Sequence, residues 1–146
     1  MALNEFSARF AEVLFAAFPT LRGHARECSI EDHDSGSLLV EFSPPPVRPD
    51  CRFYVCTTNQ EVTVGFDRMH THMQWPAQDA IEFIRDLMAE KIVVAVRMTS
   101  GRWAGSTTLR EGESPDVSNL SPDDVVYLRS WSGSKDAEFR GSGSGS

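Results

Sequence analysis

Basic residues are the minority in this 146-residue chain, with 14 Lys and Arg against 21 Asp and Glu and a formal net charge of −7. A protein that wraps nucleic acid by neutralising phosphates carries a basic face, so the balance argues against direct nucleic-acid binding. Long apolar runs are missing too. Nothing approaches the roughly 18 consecutive apolar residues of a membrane span, and no basic segment leads into a short apolar stretch with a small-residue cleavage site. The chain therefore reads as cytoplasmic. Cysteine is scarce: Cys28, Cys51 and Cys56 are an odd number, which favours reduced thiols over a disulfide framework.

Several catalytic signatures are absent as well. There is no Gly-x-Ser-x-Gly turn and no Cys-x-x-Cys. Gly101-Arg-Trp-Ala-Gly105 lacks the strand-to-helix setting and the following Lys of a phosphate-binding loop. Cys51 and Cys56 flank a strand five residues apart, point to opposite faces and read as small core or surface residues. No enzyme class and no cofactor is indicated by these residues.

What is present is enough for one core. Apolar residues make up 40% of the chain, a length and composition typical of a single domain, here residues 1–140. Residues 141–146 are a Gly-Ser repeat that behaves as a flexible linker, set apart from the domain.

Leu3, Phe6, Phe10, Val13, Leu14, Ala17 and Phe18 recur at three- and four-residue steps, which predicts an amphipathic helix capped by Asn4 and stopped by Pro19. A second helix is expected from Pro76 to about Glu90, with Ala80, Ile81, Ile84, Leu87 and Met88 as its apolar stripe. Elsewhere the period is two. Strands are expected near 27–32, 37–42, 52–57, 61–66, 91–99, 102–110 and 125–131. Tight turns are expected at Asp34-Ser35-Gly36, Thr58-Asn59-Gln60 and Ser100-Gly101. The expected fold is α+β: one twisted, mainly antiparallel sheet of about six or seven strands with both amphipathic helices on one face.

Three features carry functional readings. His70 and His72 fall on the same side of an extended chain, as two metal ligands would. A metal site needs more donors, and Asp67, His24 and His33 are distant candidates. Hydrogen bonding at the junction before the second helix, or a place on a binding surface, accounts for the same pair. Trp103 and Trp131 each stand beside Arg and small residues, a composition shared by interface anchors and by ordinary sheet packing. Finally, residues 111–128 hold Glu111, Glu113, Asp116, Asp123 and Asp124 with no Lys or Arg. Such a segment can steer a basic partner, or simply solubilise the chain.

Taken together, the strand Glu61-Val-Thr-Val-Gly-Phe66 running into His70-Thr-His72, the helix with Ile-Glu-Phe-Ile, Gly101-Arg-Trp-Ala-Gly-Ser106 and Arg129-Ser-Trp-Ser-Gly133 resemble small bacterial immunity proteins encoded beside polymorphic toxins. The resemblance implies a non-enzymatic protein that neutralises a cognate toxin by occluding its active or substrate-binding surface, and it carries over no site residues. A basic toxin is the expected partner. A small metal- or ligand-binding enzyme using His70 and His72 is the competing expectation.

Overall fold

The computed structural model describes residues 1–29, 35–74 and 76–142. Helix α1 spans Glu5–Ala17 because Asn4 accepts a hydrogen bond from the Ser7 amide at 2.9 Å and Pro19 follows its end. Its Phe10, Ala11, Leu14 and Phe15 are buried, whereas Val13 is 37% exposed and lies off the stripe. A short 3-10 segment, Pro19–His24, leads into a five-stranded antiparallel meander: β1 Ala25–Cys28, β2 Ser37–Phe42, β3 Phe53–Thr58, β4 Glu61–Phe66 and β5 Met69–Gln74.

Helix α2, Gln78–Met88, then crosses to a second antiparallel sheet. That sheet contains β6 Ile92–Thr99, β7 Arg102–Arg110, β8 Asp124–Arg129 and β9 Ala137–Arg140, in the order β7-β6-β8-β9. The fold is α+β, but the single sheet expected from the strand count is two sheets of five and four strands. Period-two patterning identifies strands without saying which hairpins join across a helix, and α2 separates the two groups.

Two strands were not foreseen. β5 alternates with polar residues, His70, His72 and Gln74, on its outer side, so its few apolar positions hide the strand. β9 is four residues long and half exposed, close to the chain's end. The first strand begins at Ala25 and ends at Cys28, two residues earlier than expected at its start; residues 30–34 of the expected strand and turn lie outside the described residues, as does Trp75. The Asn59-Gln60 and Ser100-Gly101 turns form as two-residue hairpins, all four residues having positive φ, the conformation that matches the strand twist.

Both helices pack into one core with the inner face of the first sheet, and Ile92, Val94 and Val96 of β6 close it from the second. The seam between the sheets is aromatic and ionic. The Trp131 ring lies 5.0 Å from Phe53 and 5.8 Å from both Phe42 and Phe66, in edge and stacked arrangements. Above it Arg48, at the end of the proline-rich connector, donates to the carbonyls of Ser130 at 2.9 Å and Trp131 at 2.8 Å. It also pairs with Asp136 at 2.6 Å. Asp136 in turn accepts from the Ser130 amide at 2.8 Å.

One guanidinium thus ties a connector of the first sheet to the loop that follows β8. Removing it takes a donor from two carbonyls and leaves the half-buried Asp136 carboxylate without its guanidinium, so Arg48→Met is expected to cost about 3 kcal/mol in urea unfolding. It should also shift the Trp131 near-UV signal. Arg48→Lys should recover little of the loss, because an ammonium cannot span three acceptors in one plane.

Candidate functional site

The two histidines sit on β5 with His70 opposite Gly65 and His72 opposite Thr63, on the sheet face that carries no helix. Both are exposed, and their ring centroids are 5.1 Å apart in an edge-on arrangement. His72 Nδ1 lies 2.8 Å from the Thr63 hydroxyl and 3.6 Å from a Glu61 carboxylate oxygen. Next to them the Tyr54 ring lies flat across Gly65, leaving no room there for a Cβ, and burial raises its phenol pKa.

The further ligands considered for the pair are elsewhere. His24 stacks on Phe42 at 4.4 Å, His33 is outside the described residues, and Asp67 is buried in the β4–β5 turn. Among the described residues, no three His, Cys, Asp or Glu side chains stand close enough to hold a metal ion. The three cysteines form no disulfide. Burial pushes the Cys51 thiol up to about 11, where it stays protonated and unreactive at neutral pH.

The acidic segment divides into two kinds of carboxylate. Glu111, Glu113, Asp116 and Asp123 are exposed. Glu113 accepts the Arg110 amide at 3.0 Å, and the Ser118 hydroxyl and amide hold the Asp116 carboxylate below its ordinary range. Asp124 is different: its side chain is 3% exposed and accepts from Arg97 at 2.6 Å, Thr99 at 2.7 Å and the Ser121 amide at 2.9 Å. These bonds, that of the Ser121 amide foremost, hold its carboxyl far below the usual range. It closes the loop onto β6 and offers nothing to a partner.

The loop is laid over the outer face of the second sheet by Leu120, which joins Ala95, Leu109 and Val126 in a small apolar cluster. It returns to the β6–β7 turn, where the Ser100 amide donates to the Asp123 carbonyl at 2.9 Å. That return brings Asp123, though not Glu111 and Glu113 at the opposite end of β7, to the end of the sheet from which β7 starts. There Trp103, on an edge strand, is 54% exposed. The two tryptophans therefore have different roles, since Trp131 belongs to the inter-sheet aromatic cluster.

Two further groupings were not recognised in the sequence. Glu90, in a left-handed conformation just after α2, accepts from the Ser132 amide at 2.7 Å and the Ser134 hydroxyl at 2.6 Å, and its carbonyl takes Lys135 Nζ at 2.8 Å. A Ser-x-Ser after Trp131 carries no signal for a carboxylate 42 residues away. The second is a cavity of about 570 Å³ between the inner face of the second sheet and the β4–β5 turn. Tyr127 and Arg129 line it from β8, and Asp67 and Arg68 from the turn. Asp67 and Arg129, which pair there, are far apart in sequence.

Comparison with known families, curated proteins and solved structures gives no match to this chain. Among the described residues, no helix is long and apolar enough to cross a membrane.

The Glu90 cluster has a defined pH signature. The hydroxyls of Ser132 and Ser134 lower its pKa from the ordinary 4.5 to about 2. A depressed folded-state pKa stabilises above the unfolded value and loses that contribution as the pH falls through the folded one. Thermal unfolding followed from pH 5 to pH 2 should therefore show a steeper acid loss in the natural chain than in Glu90→Gln, with the difference confined to about pH 4.5 down to 2.

Proposed function

We propose that this chain is a non-enzymatic, cytoplasmic binding protein of the immunity type, which neutralises a cognate bacterial toxin by covering its active or substrate-binding surface. The observation that carries the reading is the exposed acidic segment, in which Glu111, Glu113, Asp116 and Asp123 face solvent with no Lys or Arg between them. It lies on the same sheet as the exposed edge-strand Trp103.

A single-sign loop raises the encounter rate with an oppositely charged surface, and a large exposed aromatic supplies the desolvated anchor that holds the complex once formed. Toxins that attack nucleic acids or nucleotides present basic surfaces, so an acidic inhibitor can take the place of the negative substrate. Asp124 and Trp131 are left out of the proposed surface because both are engaged inside the fold. His70 and His72 lie on the open face of the other sheet and are not required by this reading.

The test is association of the purified chain with the polypeptide encoded by the adjacent gene. A stoichiometric complex is expected whose on-rate falls with added salt. In the variant E111Q/E113Q/D116N/D123N the on-rate should drop about tenfold at low salt and lose most of its salt dependence. Trp103→Ala should instead act mainly on dissociation. An absence of binding at micromolar concentration, or stoichiometric metal that His70→Ala and His72→Ala remove without unfolding the protein, would overturn the proposal.

A further inference from the structure

The cavity between the sheets holds a carboxylate with an unmet hydrogen bond. Asp67 sits in the two-residue turn between β4 and β5 with φ of 56°, a left-handed conformation that Asp adopts more readily than most residues. Its Oδ1 accepts the Arg68 amide at 2.8 Å. Its Oδ2 has no hydrogen-bond partner among the described residues, although the side chain is only 4% exposed. The nearest cation is Arg129, whose Nε lies 3.5 Å away; this is close enough to pair charges but leaves the oxygen without a donor.

Arg129 is itself held loosely. Its guanidinium rests over the Tyr127 ring at 4.9 Å, and its second carboxylate, Asp136, is 3.9 Å distant and already committed to Arg48. Burial raises the Asp67 carboxyl above its ordinary pKa, so the site holds a desolvated acid beside a guanidinium with donors to give. Val96, Met98 and Val125 form an apolar patch in a lining that also holds Asp50, Arg68, Asp123 and Arg140.

We infer that this cavity binds a small amphoteric molecule, specifically a free α-amino acid with an apolar side chain. In that arrangement Arg129 takes the α-carboxylate, the Asp67 side chain turns to bring Oδ2, which is closed to solvent in this structure, onto the α-ammonium, and Val96, Met98 and Val125 receive the side chain. The charge arithmetic selects a zwitterion over a simple ion. Asp67 and Arg129 balance each other, and at the rim Asp50 and Arg68 pair at 3.0 Å. A guest of one sign would satisfy one member of the inner pair and leave the other desolvated with a worse partner. A guest with both signs on neighbouring atoms meets both members at once. The volume, about 570 Å³, lies within the range of small-molecule sites. The site shares no candidate residue with the surface proposed for a toxin except Asp123, which is among its lining residues.

The experiment is calorimetric titration of the full chain with L-leucine and L-phenylalanine, set against two blocked analogues, N-acetyl-L-leucine and L-leucinamide. L-leucine or L-phenylalanine should bind. Each analogue should bind at least about tenfold more weakly than L-leucine, the loss expected when a hydrogen bond to a charged group is removed. Asp67→Asn should abolish the discrimination against N-acetyl-L-leucine, and Arg129→Gln the discrimination against L-leucinamide. Because the analogues are compared on the unaltered protein, the test survives a variant that fails to fold. Equal binding of L-leucine and either analogue would show a simple ion site and overturn the inference. So would no binding of either amino acid at millimolar concentration.

Discussion

The architecture depends on how a four-stranded sheet is held against a five-stranded one. A sheet with one apolar face must cover it, and here the cover of the first sheet is made of two helices and the inner face of β6. The seam between the two sheets is the other requirement. It is closed by Trp131 among three phenylalanines and by Arg48, whose guanidinium engages two carbonyls and Asp136. Planar donors in a fixed fork are suited to such a junction, since each bond constrains the others. Glu90 reinforces the same loop from the end of α2 through Ser132 and Ser134. The segment from Ser130 to Asp136 is thereby fixed from two sides, and the position of Tyr127 and Arg129 just before it follows.

The molecule's acids fall into separate kinds. Asp124, Asp136 and Glu90 are bound to donors of the chain itself and fix loops. Glu111, Glu113, Asp116 and Asp123 remain exposed, on a loop laid down by Leu120 and Asp124. Asp67 belongs to neither group. It is buried, yet one oxygen lacks a donor among the described residues, and this unmet demand marks the cavity that Asp67 lines.

Much of the local structure could be read from residue order. The helix stripes around Phe10, Leu14, Ile81 and Ile84, the Asn4 cap and the Asn59-Gln60 and Ser100-Gly101 hairpins all depend on contacts within a few residues. β5 escaped because its outer face is His, His and Gln. β9 escaped because four half-exposed residues carry too little periodicity. Among the candidate residues, the exposure of Trp103 and the burial of Trp131 were not separable beforehand, since each lies beside Arg and small residues. Asp123 and Asp124 are neighbours in sequence and opposite in role, because Asp123 stands exposed in the turn while Asp124, the first residue of β8, bonds to Arg97 and Thr99.

The sequence by itself determined the excess of acids, the two helices, most of the strands and the eighteen-residue segment without a cation. These follow from composition and from periodicities of two and 3.6, which act over short stretches of chain. Only the tertiary structure decided that the strands form two sheets, that Arg48 reaches Asp136 across 88 positions, and that Asp67 and Arg129 meet in the lining of one cavity. Pairings of that kind rest on distances between elements far apart in sequence. Hydrogen-bond and charge complementarity is satisfied in space, and a residue's neighbours along the chain do not record which distant group will meet it.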